Sequence, residues 1–253
     1  MTTTIAVAGK GGTGKTTIAG LLIRYLQENK RGSVLAIDAD PSSNLNAVLG
    51  LPLDGTVGDV REEMLTKVGA GSMAPGISKQ DYLEYKVNEV LVEGSGVDLL
   101  AMGRPEGAGC YCAANNILRA LIDRLGKDYD YVVIDNEAGL EHLSRRTTRD
   151  VDVLLAVTDP TMRGLTAAER VIELIDELKT KIGHAYLVVN RVDGDLPVAM
   201  QDEIQKLNIE LLGTVPRDEE LAKLDAAGRP LVEVSDDSSA YKAIKRIAER
   251  IVA

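Results

Sequence analysis

Residues 9–16 read Gly9-Lys10-Gly11-Gly12-Thr13-Gly14-Lys15-Thr16, and how this octet is read decides the fold. It matches G-x-x-x-x-G-K-[ST] and sits between the aliphatic run Thr4–Ala8 and the helical pattern Lys15–Gln27. Strand, glycine-rich turn and helix in that order make a phosphate-binding loop. The glycines let successive backbone N–H groups point inward, and the helix N-terminus adds its positive dipole end. Such a loop predicts that Lys15 reaches the β- and γ-phosphates of ATP and that the Thr16 hydroxyl ligates Mg2+. Gly11, Gly12, Thr13, Gly14 and Thr17 complete the expected cofactor-binding set.

The pattern continues outward from the loop. Short apolar runs recur at Val34–Ile37, Val97–Ala101, Tyr131–Ile134, Val153–Val157, Ala185–Val189 and Leu211–Val215. Helical patterns lie between them, clearest at Asn116–Leu125, Leu165–Lys179 and Ser239–Ile251. Aliphatic runs without strict alternation suit strands buried on both faces. The sequence therefore predicts an α/β fold: a mostly parallel, doubly wound sheet of about 7–8 strands with helices on both faces. The Gly- and Met-rich stretch Leu53–Gly76 reads as a helix inserted after the second strand. Neither an internal repeat nor a low-complexity linker divides the chain, so residues 1–253 are expected to form a single ATPase domain.

Composition narrows the partners. The net charge is −10, whereas affinity for nucleic acid or anionic lipid comes mostly from Lys and Arg neutralising phosphates. Neither partner is expected. The N-terminus lacks a charged segment followed by an apolar one, and no apolar run approaches the ~18 residues that span a bilayer. The expectation is a cytoplasmic protein, in which thiols stay reduced.

Further polar residues close the strands. Asp38 and Asp40, in Ile37-Asp38-Ala39-Asp40-Pro41, end the second run, at the carboxyl edge where open α/β sheets bind ligands. Tyr131-Val132-Val133-Ile134-Asp135 is a hydrophobic strand closing in an acid, which places Asp135 near Mg2+, partly through water. Asn190 ends another run, and an amide side chain can pair with an adenine edge.

Lys10, a second lysine inside the loop, gives a "GKGGxGKT" pattern that resembles the deviant Walker A family. That family includes the nitrogenase iron protein, ParA, MinD and the arsenical pump ATPase. The resemblance implies an ATP-sandwiched homodimer in which Lys10 reaches the partner's nucleotide. It also places Asp40 beside the attacking water, Asp38 near Mg2+ and its waters, and Asn190 and Arg217 around the adenine. Lys10, Lys15 and Asp40 are thus the expected catalytic residues, and Asn136–His142 looks like the family's second switch.

Cys110 and Cys112, in "GAGCYCAANN", are the only cysteines. Chance would place two cysteines this close on the order of once in a hundred trials. Two thiolates leave a four-coordinate shell half empty, but a two-fold dimer supplies the pair twice. Zn2+ would take such a four-thiolate site tetrahedrally, and Ni2+ tetrahedrally or square-planar. With "DADP", "GCYC" and "DNEAGLEHL", the chain resembles over nearly its whole length the CooC-type nickel-insertion ATPases. This resemblance implies Ni2+ held by Cys110 and Cys112 of both chains and delivered to apo carbon monoxide dehydrogenase or acetyl-CoA synthase. Two other readings share the frame. One is a ParA- or MinD-like positioning ATPase, for which the basic helix Ser239–Ile251 would meet a membrane. The other is an electron carrier holding a [4Fe–4S] cluster between subunits, although its cysteines lie on separate loops.

Overall fold

The computed structural model describes residues 1–29, 31–71, 76–104, 120–136, 150–178, 181–207 and 209–252. Each of the seven predicted runs lies within a strand, and all the strands join one sheet. In chain order they are β1 (Thr3–Gly9), β2 (Val34–Asp38), β3 (Val92–Glu93), β4 (Val97–Ala101), β5 (Tyr131–Asp135), β6 (Asp150–Thr158), β7 (Lys181–Val192) and β8 (Glu210–Pro216). Their spatial order is β3-β4-β2-β5-β1-β6-β7-β8. Every neighbouring pair is parallel except β3 with β4.

β1 lies between β5 and β6, and Ile5 to Ala8 are wholly buried. Alternation along β1 sends Ile5 and Val7 to one face and Ala6 and Ala8 to the other, so two cores sandwich the sheet. The first core joins α1 (Lys15–Glu28) and α2 (Leu45–Leu49) to the C-terminal helix Ser239–Ile251. The second holds α3 (Val57–Gly69), α4 (Lys79–Val90), α5 (Met162–Leu178) and α6 (Val198–Lys206). α7 (Glu219–Ala226) follows β8, and the C-terminal helix is α8.

The helix expected within Leu53–Gly76 is α3. A capping box starts it: Thr56 Oγ1 accepts from Asp59 N, and the Asp59 carboxylate accepts from Thr56 N. Of the helix expected at Asn116–Leu125, residues 120–125 are helical and the rest lies outside the described residues.

α8 settles where its apolar stripe goes. Tyr241, Ile244, Ile247 and Ala248 are buried in the core, while Lys242, Arg246, Glu249 and Arg250 are exposed. Its Ile face is thus spent on β8 and α1. Among the described residues, no helix is long and apolar enough to cross a membrane.

Candidate functional site at the carboxyl edge

The predicted phosphate loop runs from the end of β1 into α1. Gly9 pairs with Val157 of β6 at φ 148°, where a Cβ would stand 2.1 Å from Val157 O. Gly14 caps α1 in the left-handed region, φ 88°, where a Cβ would stand 2.3 Å from Asn190 Nδ2. Both positions require glycine. No side chain caps α1 and no acid lies in its first turn, which leaves its leading N–H groups available to an anion.

Inside the loop, three donors converge on one oxygen. Lys10 O accepts from Thr13 Oγ1 at 2.9 Å, from Lys15 Nζ at 3.3 Å and weakly from Thr13 N at 3.4 Å. Lys15 is buried, whereas Lys10 and Gly11 are exposed. An exposed Lys10 on the loop rim is available to a second molecule.

Beside the loop, Asp38 and Asp135 stand directly opposite each other on β2 and β5, each 1% exposed. They have different tasks. Asp38 Oδ1 accepts from Asp40 N at 3.0 Å and Oδ2 from Leu45 N at 2.8 Å, so both oxygens hold the turn leading into α2. Burial pushes Asp38 up to about 6 in spite of these bonds. Asp135 is pushed up to about 7, by burial first and by the Asp38 charge next; Thr16 and Lys15 oppose the shift. Its side chain hydrogen-bonds with Thr16, and Oδ1 has no partner among the described residues.

A buried, unpartnered carboxylate oxygen next to a threonine hydroxyl is a hard-oxygen pair suited to Mg2+. Thr16 and Asp135 therefore fit the ion. Asp38 holds the turn before α2 with both of its oxygens. Asp40 is half-exposed, and its Oδ1 accepts from Ser42 N at 2.8 Å.

The raised carboxyls have a measurable consequence. A carboxyl whose pKa is higher folded than unfolded stabilises the fold below about pH 4 and loses that contribution as pH rises through about 6 and 7. In Mg2+- and nucleotide-free protein, stability should fall between pH 5 and pH 8. Asp135→Asn should flatten this slope and make the protein about 1–3 kcal/mol more stable at pH 8. The same variant should lose about a hundredfold or more of its Mg2+-dependent ATP hydrolysis. Denaturant melts at both pH values test the first effect and phosphate release the second. An Asp135→Asn protein less stable than wild type at pH 8 would contradict it.

A cleft of about 650 Å3 opens next to the loop, lined by Thr16, Thr17, Asn44, Asn190, Pro216 and Arg217 among others. Its size suits a nucleoside. Asn190, 6% exposed, donates from Nδ2 to Thr13 O at 2.8 Å and accepts at Oδ1 from Arg191 N at 2.9 Å. An amide has two donors and two lone pairs, so one of each stays available to a base. Arg217 forms an exposed ion pair with Asp193 at 2.8 Å, at the cleft mouth.

Two residues here make contacts that the sequence does not reveal. Asn136, 1% exposed, donates from Nδ2 to Val7 O at 3.1 Å, tying the end of β5 to β1. Arg191 donates from Nη1 to Gly12 O at 2.8 Å. The sequence marks Asn136 as the first residue of the expected second switch, and Arg191 only by its place next to Asn190. Cys110, Cys112 and most of the expected second switch, Glu137 to His142, lie outside the described residues.

Known proteins carry the same frame. Residues 4–231 match the CobQ/CobB/MinD/ParA nucleotide binding domain. An uncharacterized ATP-binding protein of Methanocaldococcus jannaschii is 47% identical, covering 98% of each chain. The carbon monoxide dehydrogenase accessory protein CooC of Rhodospirillum rubrum is 33% identical, over 91% of this chain and 90% of its own. The septum site-determining protein MinD complexed with Mg-ADP, from Pyrococcus horikoshii, superposes with a TM-score of 0.69 at 25% identity, covering 99% of this chain and 96% of its own. Its loop, Mg2+-compatible pair and nucleoside cleft, with these likenesses, make the chain a member of the CobQ/CobB/MinD/ParA family of nucleotide-binding P-loop ATPases.

Proposed function

We propose that this protein is a homodimeric ATPase that carries Ni2+ on Cys110 and Cys112 of both chains and delivers it to apo carbon monoxide dehydrogenase or acetyl-CoA synthase. One observation carries the reading: the only two cysteines form a Cys-x-Cys on an ATPase frame 33% identical to a carbon monoxide dehydrogenase accessory protein. Zn2+ fits the same four thiolates, and supply in the cell decides between the ions.

In this reading, the loop amides and Lys15 hold the phosphates, and Lys10 reaches the nucleotide of the partner subunit. Asp40 orients the attacking water. Asn190 and Arg217 contact the base. Thr16 and, through water, Asp135 would hold Mg2+, which would supply positive charge to the phosphates. Rearrangement of the dimer as ATP is consumed alters the thiolate geometry, which couples turnover to capture or release of the metal.

Native mass measurement during metal and nucleotide titration tests the proposal. Wild type should take up one Ni2+ per two chains, and Cys110→Ala/Cys112→Ala should lose metal-dependent dimerisation while still binding ATP. Unchanged metal stoichiometry in the double variant would overturn the thiolate site. A brown, iron-containing dimer would favour the electron carrier. ATP-dependent co-sedimentation with anionic liposomes or DNA would favour a positioning ATPase. Burial of the Ile face of α8 in the core speaks against a membrane role for that helix.

A further inference from the structure

Two consecutive residues at the end of β7 hold two consecutive carbonyls of the phosphate loop. Arg191 Nη1 donates to Gly12 O at 2.8 Å, and Asn190 Nδ2 donates to Thr13 O at 2.8 Å. A trans peptide is planar, with its C=O and the following N–H on opposite sides. Drawing Gly12 O toward β7 therefore aims Thr13 N–H into the loop, and drawing Thr13 O does the same for Gly14 N–H. Thr13 N does face inward, toward Lys10 O, on which Thr13 Oγ1 and Lys15 Nζ also converge. The same donors can turn to a phosphate oxygen.

The backbone goes out of its way to place this guanidinium. Arg191 sits at φ 59°, in the left-handed region that side chains other than glycine rarely adopt. The pairing of β7 with β8 slips in register between Asn190 and Val192, an irregularity that re-aims a side chain. Asn190 Oδ1 accepts from Arg191 N at 2.9 Å, bracing the turn locally. An arginine serving only as solvated surface charge would need none of these.

We infer that Arg191 is a positioning residue for the polyphosphate of the nucleotide, acting through the Gly12–Thr13 peptide. Asn190 shares the task at Thr13 O and keeps half its amide for the base. The inference rests on membership of the ATPase family and is independent of the nickel reading. It implies that Arg191, which also lines the cleft, strengthens the binding of nucleoside di- and triphosphates far more than that of the bare nucleoside.

The test is the affinity of ADP compared with that of adenosine, measured by displacement of a fluorescent adenine nucleotide. Arg191→Gly suits φ 59° and should keep the wild-type Tm. It should weaken ADP about tenfold and adenosine less than about twofold, the size expected for a lost charge-assisted hydrogen bond. Arg191→Lys, which keeps one charged donor, should recover part of the loss. A purely structural role would lower Tm and weaken both ligands alike, and that result overturns the inference. So does unchanged ADP affinity. If the glycine variant melts early, Arg191→Ala is scored by the same ratio with the same two outcomes.

Discussion

Replacing Lys15 by glutamine is expected to slow ATP hydrolysis about a hundred- to a thousandfold. Lys15 is 7% exposed, and its ammonium lies among the inward-facing donors of the loop. A cation held there, away from water, stabilises charge on the transferring phosphoryl group far better than solvent does. Removing one such group typically raises the barrier by about 3–4 kcal/mol. A second effect travels through the neighbouring acid. Lys15 opposes the upward push on Asp135, so its loss raises that carboxyl further and weakens Mg2+ binding near pH 7. Phosphate release at saturating Mg2+-ATP measures the first effect, and Mg2+ dependence at pH 6.5 and 8 the second. A Lys15→Gln protein keeping more than about a tenth of wild-type activity would place hydrolysis elsewhere.

Gly9→Ala should act on the fold rather than on chemistry. The added Cβ would meet Val157 O at 2.1 Å, and the backbone of paired central strands fixes the position of both atoms. Neither can yield without opening the β1–β6 ladder, and φ 148° is itself unfavourable for alanine. A loss on the order of 4 kcal/mol or more is expected, a large part of the ~5–15 kcal/mol that holds a domain folded. Gly12→Ala is the internal comparison: a Cβ there meets nothing within 4 Å, so only the left-handed φ of 80° counts, about 1–2 kcal/mol. Thermal melts of the two variants should differ widely. Equal melting temperatures would show that the Gly9 contact relaxes freely.

The sequence made most of the sheet legible because its strands are buried on both faces and so read as unbroken aliphatic runs. β3 escaped notice because two residues carry no period. α4 did too, since only Leu83 and Val87 are buried along its twelve residues. α2, with five residues, is set by what surrounds it: Asp38 supplies an acceptor to Leu45 N, and Gly50 ends it. Lys15, Thr16 and Asp135 are local readings, each following from its place at the end of a strand or the start of a helix. The division of labour between Asp38 and Asp135 was not legible, for it depends on which backbone N–H groups fold back onto each carboxylate. Nor was the grip of Arg191 on Gly12 O, which joins residues 179 positions apart.

The central place of β1 bears on the order in which the chain can fold. Its partners, Tyr131–Asp135 and Asp150–Thr158, lie well over a hundred residues downstream, and the donors that orient its loop come later still, at 190 and 191. A chain emerging from the ribosome offers its phosphate motif early and can complete it only when Arg191, 179 positions after Gly12, has followed. Closing such distant pairings costs chain entropy before any contact repays it, which makes folding slow. Nucleotide binding thereby reports a finished sheet, and ATP, by favouring the state that binds it, stabilises the assembled fold by mass action.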